Sequence, residues 1–230
     1  APMIVLSASS PVDCFYAAYE AAKLTLETMT PVVLLTDGYI GFGSEVMKIP
    51  KMADMPEIQP QYARKGEKYQ PYDRDPETLV RRWAVPGDEG MRHRIGGLEK
   101  TDGKGEVSTD PLNHEKMVQI REEKVQRLAQ RLPDQDVYGD QDADLLVVSW
   151  GGTKGQVQGA VDFMRKEGTK LAHAHFKYLN PLPKNTEELL SSYKKIIIPE
   201  LNSGQFASYL RIKFPKIETM QYNKVQGQPF

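Results

Sequence analysis

The sequence has 230 residues, of which 40% are hydrophobic, and it carries 30 lysines and arginines against 31 aspartates and glutamates. This length and apolar content suffice for a buried core, and a formal net charge of −1 excludes the overall basic field that would attract nucleic acid or an anionic membrane. The single cysteine, Cys14, excludes an intrachain disulfide and a cysteine-based metal or iron–sulfur site, and it favours a cytoplasmic setting.

The first fifty residues predict a strand, a helix and a second strand. Residues 3–7 form an apolar strand-like run, and Ser10, Pro11 and Asp13 form a typical helix start. A helix over residues 11–29 would bury a face of large side chains at three- and four-residue spacing: Val12, Phe15, Tyr16, Tyr19, Ala22 and Leu26. The next apolar run, residues 32–35, predicts a buried strand that ends at Asp37 and Gly38.

The middle of the chain has no clear periodicity until a charged helix. Residues 50–111 are rich in proline, glycine and tyrosine, and they also contain Trp83, Met91 and Ile95. So many large apolar groups favour a segment that lies against another surface rather than a disordered linker. Residues 113–132 predict a helix whose basic side, including Arg121 and Lys124, is a solvated face.

From residue 141 onward, strands and helices alternate with short connections. Strands are predicted at 145–150, 170–176, 195–200 and 217–222, and helices at 155–167, 185–193 and 203–214. Repeated strand–helix units with right-handed crossovers predict an α/β fold of three layers, α/β/α, around a mostly parallel sheet. In such sheets, ligands and partners collect where strands end.

A glycine-rich turn follows the strand at 145–150 and is the first candidate site. It could cradle a phosphate, although both common phosphate-loop patterns are absent, so a tight packing turn is the favoured interpretation. Its candidate contacts are Gly151, Gly152, Thr153, Lys154 and Gly155.

Two further strand ends carry polar residues. Glu200 is followed by Asn202, Gly204 and Gln205, which suits either helix capping or a polar contact with a partner or cofactor. The third strand end holds Asp37 and Gly38, where the glycine permits close approach of another chain and the aspartate is typical of a turn.

The remaining candidates do not form a catalytic set. His173 and His175 share one strand face, but the sequence offers no clear third ligand for a metal. The basic cluster Arg92, His93 and Arg94 could grip a carboxylate or phosphate, while an interface ion pair is the simpler interpretation. On chemistry alone, the sequence nominates no catalytic residue and no metal site.

Several stretches follow one another in an order that is more specific than any one of them: residues 10–15, 30–39, 71–99, 113–124, 200–205 and the terminal stretch 223–230 with Lys224. Together they resemble the alpha subunit of 2-oxoglutarate:ferredoxin, or more generally 2-oxoacid:acceptor, oxidoreductases. The resemblance implies oxidative decarboxylation of a 2-oxoacid to its acyl-CoA with electron transfer to ferredoxin. It also implies a partner beta subunit that carries thiamine diphosphate, magnesium and an iron–sulfur cluster, in an oligomeric complex.

The resemblance also implies a domain organisation. Residues 1–50 would be the last βαβ portion of a pyrimidine-binding domain, residues 51–140 a connecting segment, and residues 141–230 a transketolase-type C-terminal domain. The family's Tyr-Pro-x-Thr-Pro motif is absent and the chain starts without methionine, so we expect a C-terminal fragment that binds no cofactor and is inactive alone. The alternatives are a stand-alone interaction module without catalysis and a transketolase or pyruvate dehydrogenase beta-type domain.

Overall fold

A computed structural model describes residues 2–94 and 96–230, so Ile95 of the middle segment lies outside the described residues. The chain divides into two compact units. The first unit contains Tyr19–Val33 and Ile49–Arg131, together with the first few residues of the chain. The second unit contains Val5–Ala18, Leu34–Lys48 and Leu132–Phe230. Among the described residues, no helix has both the length and the hydropathy that a membrane span requires.

The N-terminal elements occur in the predicted order. Strand β1 (Ile4–Ser7) is followed by helix α1 (Pro11–Thr28) and strand β2 (Val32–Leu35). A short helix α2 (Gly38–Phe42), which the sequence did not predict, follows directly. The strands form a three-stranded sheet with order β2-β1-β6, in which β6 (Tyr178–Asn180) pairs antiparallel with β1.

The predicted buried face of α1 is wrong. The side chains that α1 buries are Ala17 and Leu24 with the polar Glu27 and Thr28, whereas Phe15, Tyr16 and Leu26 are 44%, 37% and 38% exposed. Small residues allow the closer approach of a helix to its neighbours, and the bulky face is left toward solvent. Cys14 is half-buried rather than a core residue.

The middle segment forms few regular elements but packs within the first unit. It contains a 3₁₀ turn at Met52–Asp54 and isolated β-bridges such as Tyr62 with Trp83. The indole Nε1 of Trp83 donates a hydrogen bond to the Leu26 carbonyl at 2.7 Å, and Met91 is buried. The segment therefore lies against the C-terminal half of α1, in agreement with the sequence-based interpretation.

Helix α3 (Pro111–Arg127) begins two residues earlier than predicted, because Asp110 caps it by accepting from Leu112 N, and it continues into a 3₁₀ turn at Leu128–Gln130. Its basic side is not simply solvated, which corrects the sequence-based expectation. Arg121 binds both carboxylate oxygens of Glu99 at 3.1 Å, and Lys124 Nζ donates to the carbonyls of Thr28 and Met29.

The second unit is the expected α/β layer structure, which positions the candidate site. Its elements are β3 (Tyr138–Gly139), β4 (Leu145–Trp150), α4 (Lys154–Lys166), β5 (Ala172–Phe176), α5 (Thr186–Ser191), β7 (Lys195–Glu200), α6 (Gln205–Lys213) and β8 (Met220–Asn223). The sheet order is β3-β5-β4-β7-β8. All neighbours are parallel except the edge strand β3, which the sequence did not predict.

Both faces of this sheet are covered, as three layers require. On one face Leu146 and Val148 pack with α6 residues such as Phe206 in the main core. On the other face Leu145 and Val147 pack with the α4 residues Val157 and Val161. Ala160 and Met164 of α4 are exposed.

Candidate functional site

The three predicted strand ends meet in the second unit. A cavity of about 220 Å³ lies where β2, β4 and β7 end, and its lining includes Asp37, Gly151, Gly152, Thr153, Glu200 and Asn202. The ends of β4 and β7 lie side by side because these strands are adjacent and parallel, whereas β2 of the three-stranded sheet brings Asp37 to them. We refer to this cavity and its lining as the strand-end site.

Asp37 joins two elements of the strand-end site. Its Oδ1 accepts a hydrogen bond from Ile40 N at 3.0 Å and so caps α2, while its Oδ2 accepts from Gly152 N at 3.2 Å. Asp37 therefore acts as a helix cap, where the sequence indicated a turn-forming aspartate. Gly38 is exposed in the first turn of α2.

The glycine-rich turn is built for close contact with Asp37. Gly151 has φ +62°, a left-handed conformation that favours glycine, and a Cβ on Gly152 would lie 2.2 Å from Asp37 Oδ2. The carboxylate of Asp37 takes the backbone N–H that a bound phosphate would use. This arrangement favours the packing turn over the phosphate cradle. Thr153 turns its hydroxyl to the Trp150 carbonyl at 2.7 Å.

Glu200 gathers donors from three directions and is only 1% exposed. Its Oε1 accepts from Trp150 Nε1 and Phe206 N, both at 3.0 Å, and from Asn202 Nδ2 at 3.1 Å. Its Oε2 accepts from Ala207 N at 3.0 Å. The carboxylate thereby caps the N-terminus of α6, which is the capping role that the sequence suggested.

The other predicted residues around Glu200 complete this loop. Asn202 Oδ1 accepts from the backbone N–H groups of Gly204 and Gln205, and Gly204 has φ +87°. Gln205 is exposed at the start of α6. Lys224 is tied to the same strand end, since its N–H donates to the Glu200 carbonyl at 2.9 Å and its Nζ to the Pro229 carbonyl at 2.6 Å.

The structure does not bring the basic cluster into the strand-end site. Arg92, His93 and Arg94 belong to the first unit, whereas all residues that line the cavity belong to the second. Arg92 and Arg94 are exposed, and His93 places Nδ1 2.9 Å from the Met91 carbonyl and its ring 5.4 Å from that of Tyr69.

Lys154 and Gly155 are exposed at the start of α4, and Lys154 lines a different cavity together with His173 and His175. There Ser149 Oγ lies 2.7 Å from His173 Nε2 and 2.8 Å from His175 Nδ1. The period of two in β5 places the two histidines on one face, but the sequence interpretation missed Ser149, because its parallel pairing with His175 is known only from the structure.

Ser149 and His173 are the residue types of a catalytic nucleophile and its general base, but the serine is not accessible and the histidine is not basic enough for these roles. Ser149 is fully buried, and burial together with the Lys154 ammonium lowers the pKa of His173 to about 4. Such an imidazole is a weak base near neutral pH. In the described part of the chain, no three histidine, cysteine or acidic residues are grouped to hold a metal ion.

Two family models match this chain. Residues 1–110 match the family of pyruvate flavodoxin/ferredoxin oxidoreductases described as thiamine diphosphate-binding, and residues 143–227 match core domain II of pyruvate:ferredoxin oxidoreductase.

Individual relatives agree with these matches. The chain is 44% identical over 230 residues to 2-oxoglutarate oxidoreductase subunit KorA of Mycobacterium tuberculosis, covering 100% of this chain and 35% of the relative. It is 31% identical to the alpha subunit of 2-oxoacid:ferredoxin oxidoreductase 2 of Aeropyrum pernix, covering 100% of this chain and 36% of the relative.

A solved structure shares the fold. It is 2-oxoglutarate:ferredoxin oxidoreductase from Magnetococcus marinus with 2-oxoglutarate, coenzyme A and succinyl-CoA bound, and it matches with a TM-score of 0.91 and 28% identity. The match covers 100% of this chain and 40% of that one, so the chain spans 35% to 40% of the length of these three relatives. The chain belongs to the 2-oxoacid:ferredoxin oxidoreductase family and is related to its alpha subunits.

Proposed function

We propose that this chain is the C-terminal part of the alpha subunit of a 2-oxoglutarate:ferredoxin oxidoreductase and that it helps to assemble an active site built elsewhere in the complex. The reaction is oxidative decarboxylation of the 2-oxoacid to its acyl-CoA, with electrons passed to ferredoxin, or the reverse carboxylation. The beta subunit is the direct partner, and the complex works in the cytoplasm, which the single cysteine supports.

The observation that carries an assembly role is the closed hydrogen bonding of the strand-end site. Asp37 and Glu200 are the acidic residues that line its cavity, and both point their oxygens at backbone or indole N–H groups of the same unit. A carboxylate that already stabilises a helix N-terminus and a tight turn is poorly placed to exchange protons with a substrate. The strand-end site is therefore better suited to holding the local structure rigid than to catalysing a reaction.

Exposed apolar side chains supply the surface for assembly. Phe42 is 95% exposed and Val46 is 99% exposed in the stretch that follows β2, and the bulky face of α1 with Phe15 and Tyr16 is also open. Large apolar side chains this strongly exposed are typical of surfaces that another subunit or domain covers. We propose that the beta subunit or the remainder of the alpha subunit covers them.

The donor chemistry supports placing thiamine diphosphate and its magnesium outside this chain. Magnesium prefers carboxylate and carbonyl oxygens with waters, yet the oxygens of Asp37 and Glu200 face N–H donors. The N–H of Gly152 faces a carboxylate rather than open space. We also propose the domain organisation that the resemblance implies. Residues 1–50 are the last part of a pyrimidine-binding domain, residues 51–140 are a connecting segment, and residues 141–230 form a transketolase-type domain. The candidate contacts at the strand ends and at Arg92, His93 and Arg94 then lie at interfaces.

Reconstitution tests the proposal. The complete alpha subunit that contains this chain is co-purified with its beta subunit, and 2-oxoglutarate- and coenzyme A-dependent reduction of ferredoxin is measured. We expect activity from the complex and none from the 230-residue chain alone. Micromolar binding of thiamine diphosphate to the chain alone, measured by calorimetry, would contradict the placement of the cofactor.

A charge placed on the exposed stretch tests the assembly role. Phe42→Asp should weaken association of the subunits at least about tenfold, because a charge at an apolar contact loses its hydration. The matched control is Leu112→Asp, which changes a side chain that is 73% exposed on α3 of the first unit. If Phe42→Asp leaves the complex and its activity intact, this stretch is not an assembly surface.

A further inference from the structure

A second cavity, of about 350 Å³, lies on the α4 side of the sheet in the second unit. His173, His175, Lys154 and Gln158 line it. None of them lines the strand-end site, and the proposed function assigns no role to His173, His175 or Gln158. Three of these side chains are joined by a chain of hydrogen bonds that runs from Asp162 through Gln158, His173 and Ser149 to His175. In each bond of this chain, the structure determines which atom donates and which accepts.

The direction begins at Asp162. An ionised carboxylate can only accept, and Asp162 Oδ1 accepts from Tyr138 Oη at 2.7 Å and from Gln158 Nε2 at 3.3 Å. The amide oxygen of Gln158 is thereby turned toward His173 Nδ1, at 3.0 Å. Because an amide oxygen is also only an acceptor, His173 Nδ1 carries the proton of that ring.

The same logic carries through Ser149. Neutral His173 leaves Nε2 as an acceptor for the Ser149 hydroxyl, and Ser149 Oγ then accepts from His175 Nδ1–H. Burial keeps both rings neutral, since it lowers the pKa of His173 to about 4 and that of His175 to about 3, with the Lys154 ammonium adding to both shifts. The chain of hydrogen bonds therefore ends at His175 Nε2 as a bare acceptor.

That last atom has no protein partner. His175 Nε2 is buried, and no donor in the described residues lies within hydrogen-bond distance of it. Buried acceptors of this kind cost free energy unless something donates to them. The group that completes the chain must bring a hydrogen-bond donor into the cavity.

The charges around the cavity indicate what else that group carries. Lys154 is exposed and has no ion pair among residues 2–94 and 96–230, whereas Lys177 lies 3.6 Å from Asp13 and Asp134 lies 3.7 Å from Lys184. Asp134 and Asp136 also line the cavity, but both are solvent-exposed and screened. Lys154 is the cation left to meet an anionic ligand.

We propose that this cavity binds a small anion that keeps a proton of its own near pH 7, namely inorganic hydrogen phosphate. Its O–H donates to His175 Nε2 and its anionic oxygens face Lys154. One such group supplies both functions, whereas a protonated amine would be repelled by Lys154 and a sulfate has no proton to donate. This inference is independent of the proposed function.

The test uses phosphate and sulfate as matched probes on the complete protein. Both are tetrahedral oxyanions, but near pH 7 phosphate keeps an O–H and sulfate has none. Calorimetric titration should show phosphate binding at least about tenfold tighter than sulfate. An oxygen lone pair of sulfate would face the lone pair of His175 Nε2, and no hydrogen bond could form between them. Methyl phosphate, a monoester whose second pKa is about 6 and which has therefore largely lost this O–H near pH 7, should bind about as weakly as sulfate.

Three variants locate the binding. Lys154→Gln should weaken phosphate binding about tenfold or more, while Lys166→Gln, at the exposed end of the same helix, should leave it unchanged. His175→Asn should remove the preference for phosphate over sulfate, because an amide can also donate. Thermal melting checks that each variant is folded. In the unaltered protein, histidine ¹⁵N resonances should show a bare His175 Nε2 that shifts when phosphate is added.

Several outcomes would overturn the proposal. These are equal binding of phosphate and sulfate, no phosphate binding by the folded complete protein, binding that Lys154→Gln leaves intact, or a ¹⁵N spectrum with the His175 proton on Nε2. Binding of glycolate in place of phosphate would overturn the assignment to a phosphate group.

Discussion

Ser149 and Trp150 are neighbours on β4, yet they lead to two polar networks of opposite character. Trp150 points to one face of the sheet, where its indole joins the donors that converge on Glu200. Ser149 points to the other face and joins a line of neutral groups that ends at His175 Nε2. A carboxylate can accept from many donors at once, whereas each neutral imidazole passes one hydrogen bond onward. The first network closes within the chain, and the second requires an external donor.

The strongest test of this contrast is to open the closed network. Glu200→Gln places an amide NH₂ among Trp150 Nε1, Phe206 N and Ala207 N, which are donors themselves. We expect a loss of about 3 kcal/mol in the free energy of unfolding, because buried donors lose their acceptor. Chemical denaturation of the complete protein measures it, with exposed Glu187→Gln as the control. A loss equal to that of the control would show that Glu200 does not organise this face.

Glu99 is the centre of a second network of this kind, in the first unit. It tests whether a partly buried carboxylate that accepts several hydrogen bonds stabilises its surroundings there as well. Arg121 and then His114 hold the pKa of Glu99 at about 2, well below its usual value. Because the folded-state pKa is lowered, the stabilisation is complete above about pH 4.5 and is lost as the pH falls toward 2.

Glu99→Gln should therefore cost about 2 kcal/mol at pH 7 and almost nothing near pH 2. Denaturation curves of both proteins across this range measure the difference, and exposed Glu115→Gln provides the baseline. A cost that does not change with pH would mean that Glu99 acts through packing rather than charge.

The open network should tolerate damage better than the closed one. Ser149→Ala removes the donor to His173 Nε2 and the acceptor of His175 Nδ1–H, but both rings are neutral, so no charge is left buried without a partner. We expect a loss of about 1.5 kcal/mol in the free energy of unfolding. Ser192→Ala, at an exposed serine that bonds only within its helix, is the matched control. A loss as large as that of Glu200→Gln would erase the contrast between the two faces.

The smallest expected effect concerns the contact that ties α2 to the glycine-rich turn. Gly152→Ala should be destabilising, since the new Cβ meets Asp37 Oδ2, and Asp37→Ala should cost about 1 kcal/mol through its lost cap. The double variant should lose about 1 kcal/mol less than the sum, because the clash disappears with the carboxylate. Strict additivity in a double-mutant cycle would refute a direct contact.

The sequence predicted the helices and strands well where hydrophobic periodicity is strong. It did not predict features that depend on which elements pack against each other. The parallel strands β4, β5 and β7 follow from apolar runs with short connections, and the strand ends pointed to Asp37, Gly152 and Glu200. The inward face of α1 could not be predicted, because its large apolar side chains are exposed while the small Ala17 is buried, and helical spacing alone does not tell the two sides apart.

The hydrogen-bonded cluster of Ser149, His173, His175 and Gln158 was also missed, because its formation depends on which elements are neighbours. Ser149, Gln158 and His175 come together only when the adjacency of β4 and β5 and the position of α4 are known. Residue types at a given spacing do not reveal which strands are neighbours, and the hydrogen-bond direction follows only from the contact with Asp162.

The division of the chain into two interleaved units also constrains its biosynthesis. The second unit needs Val5–Ala18 and Leu34–Lys48 as well as Leu132–Phe230, so its N-terminal pieces emerge from the ribosome long before their partners. Helix α1 itself contributes to both units. Contacts of such long sequence separation form slowly and expose apolar groups meanwhile. A nascent chain that has emerged only as far as the middle segment would therefore expose apolar groups of both units.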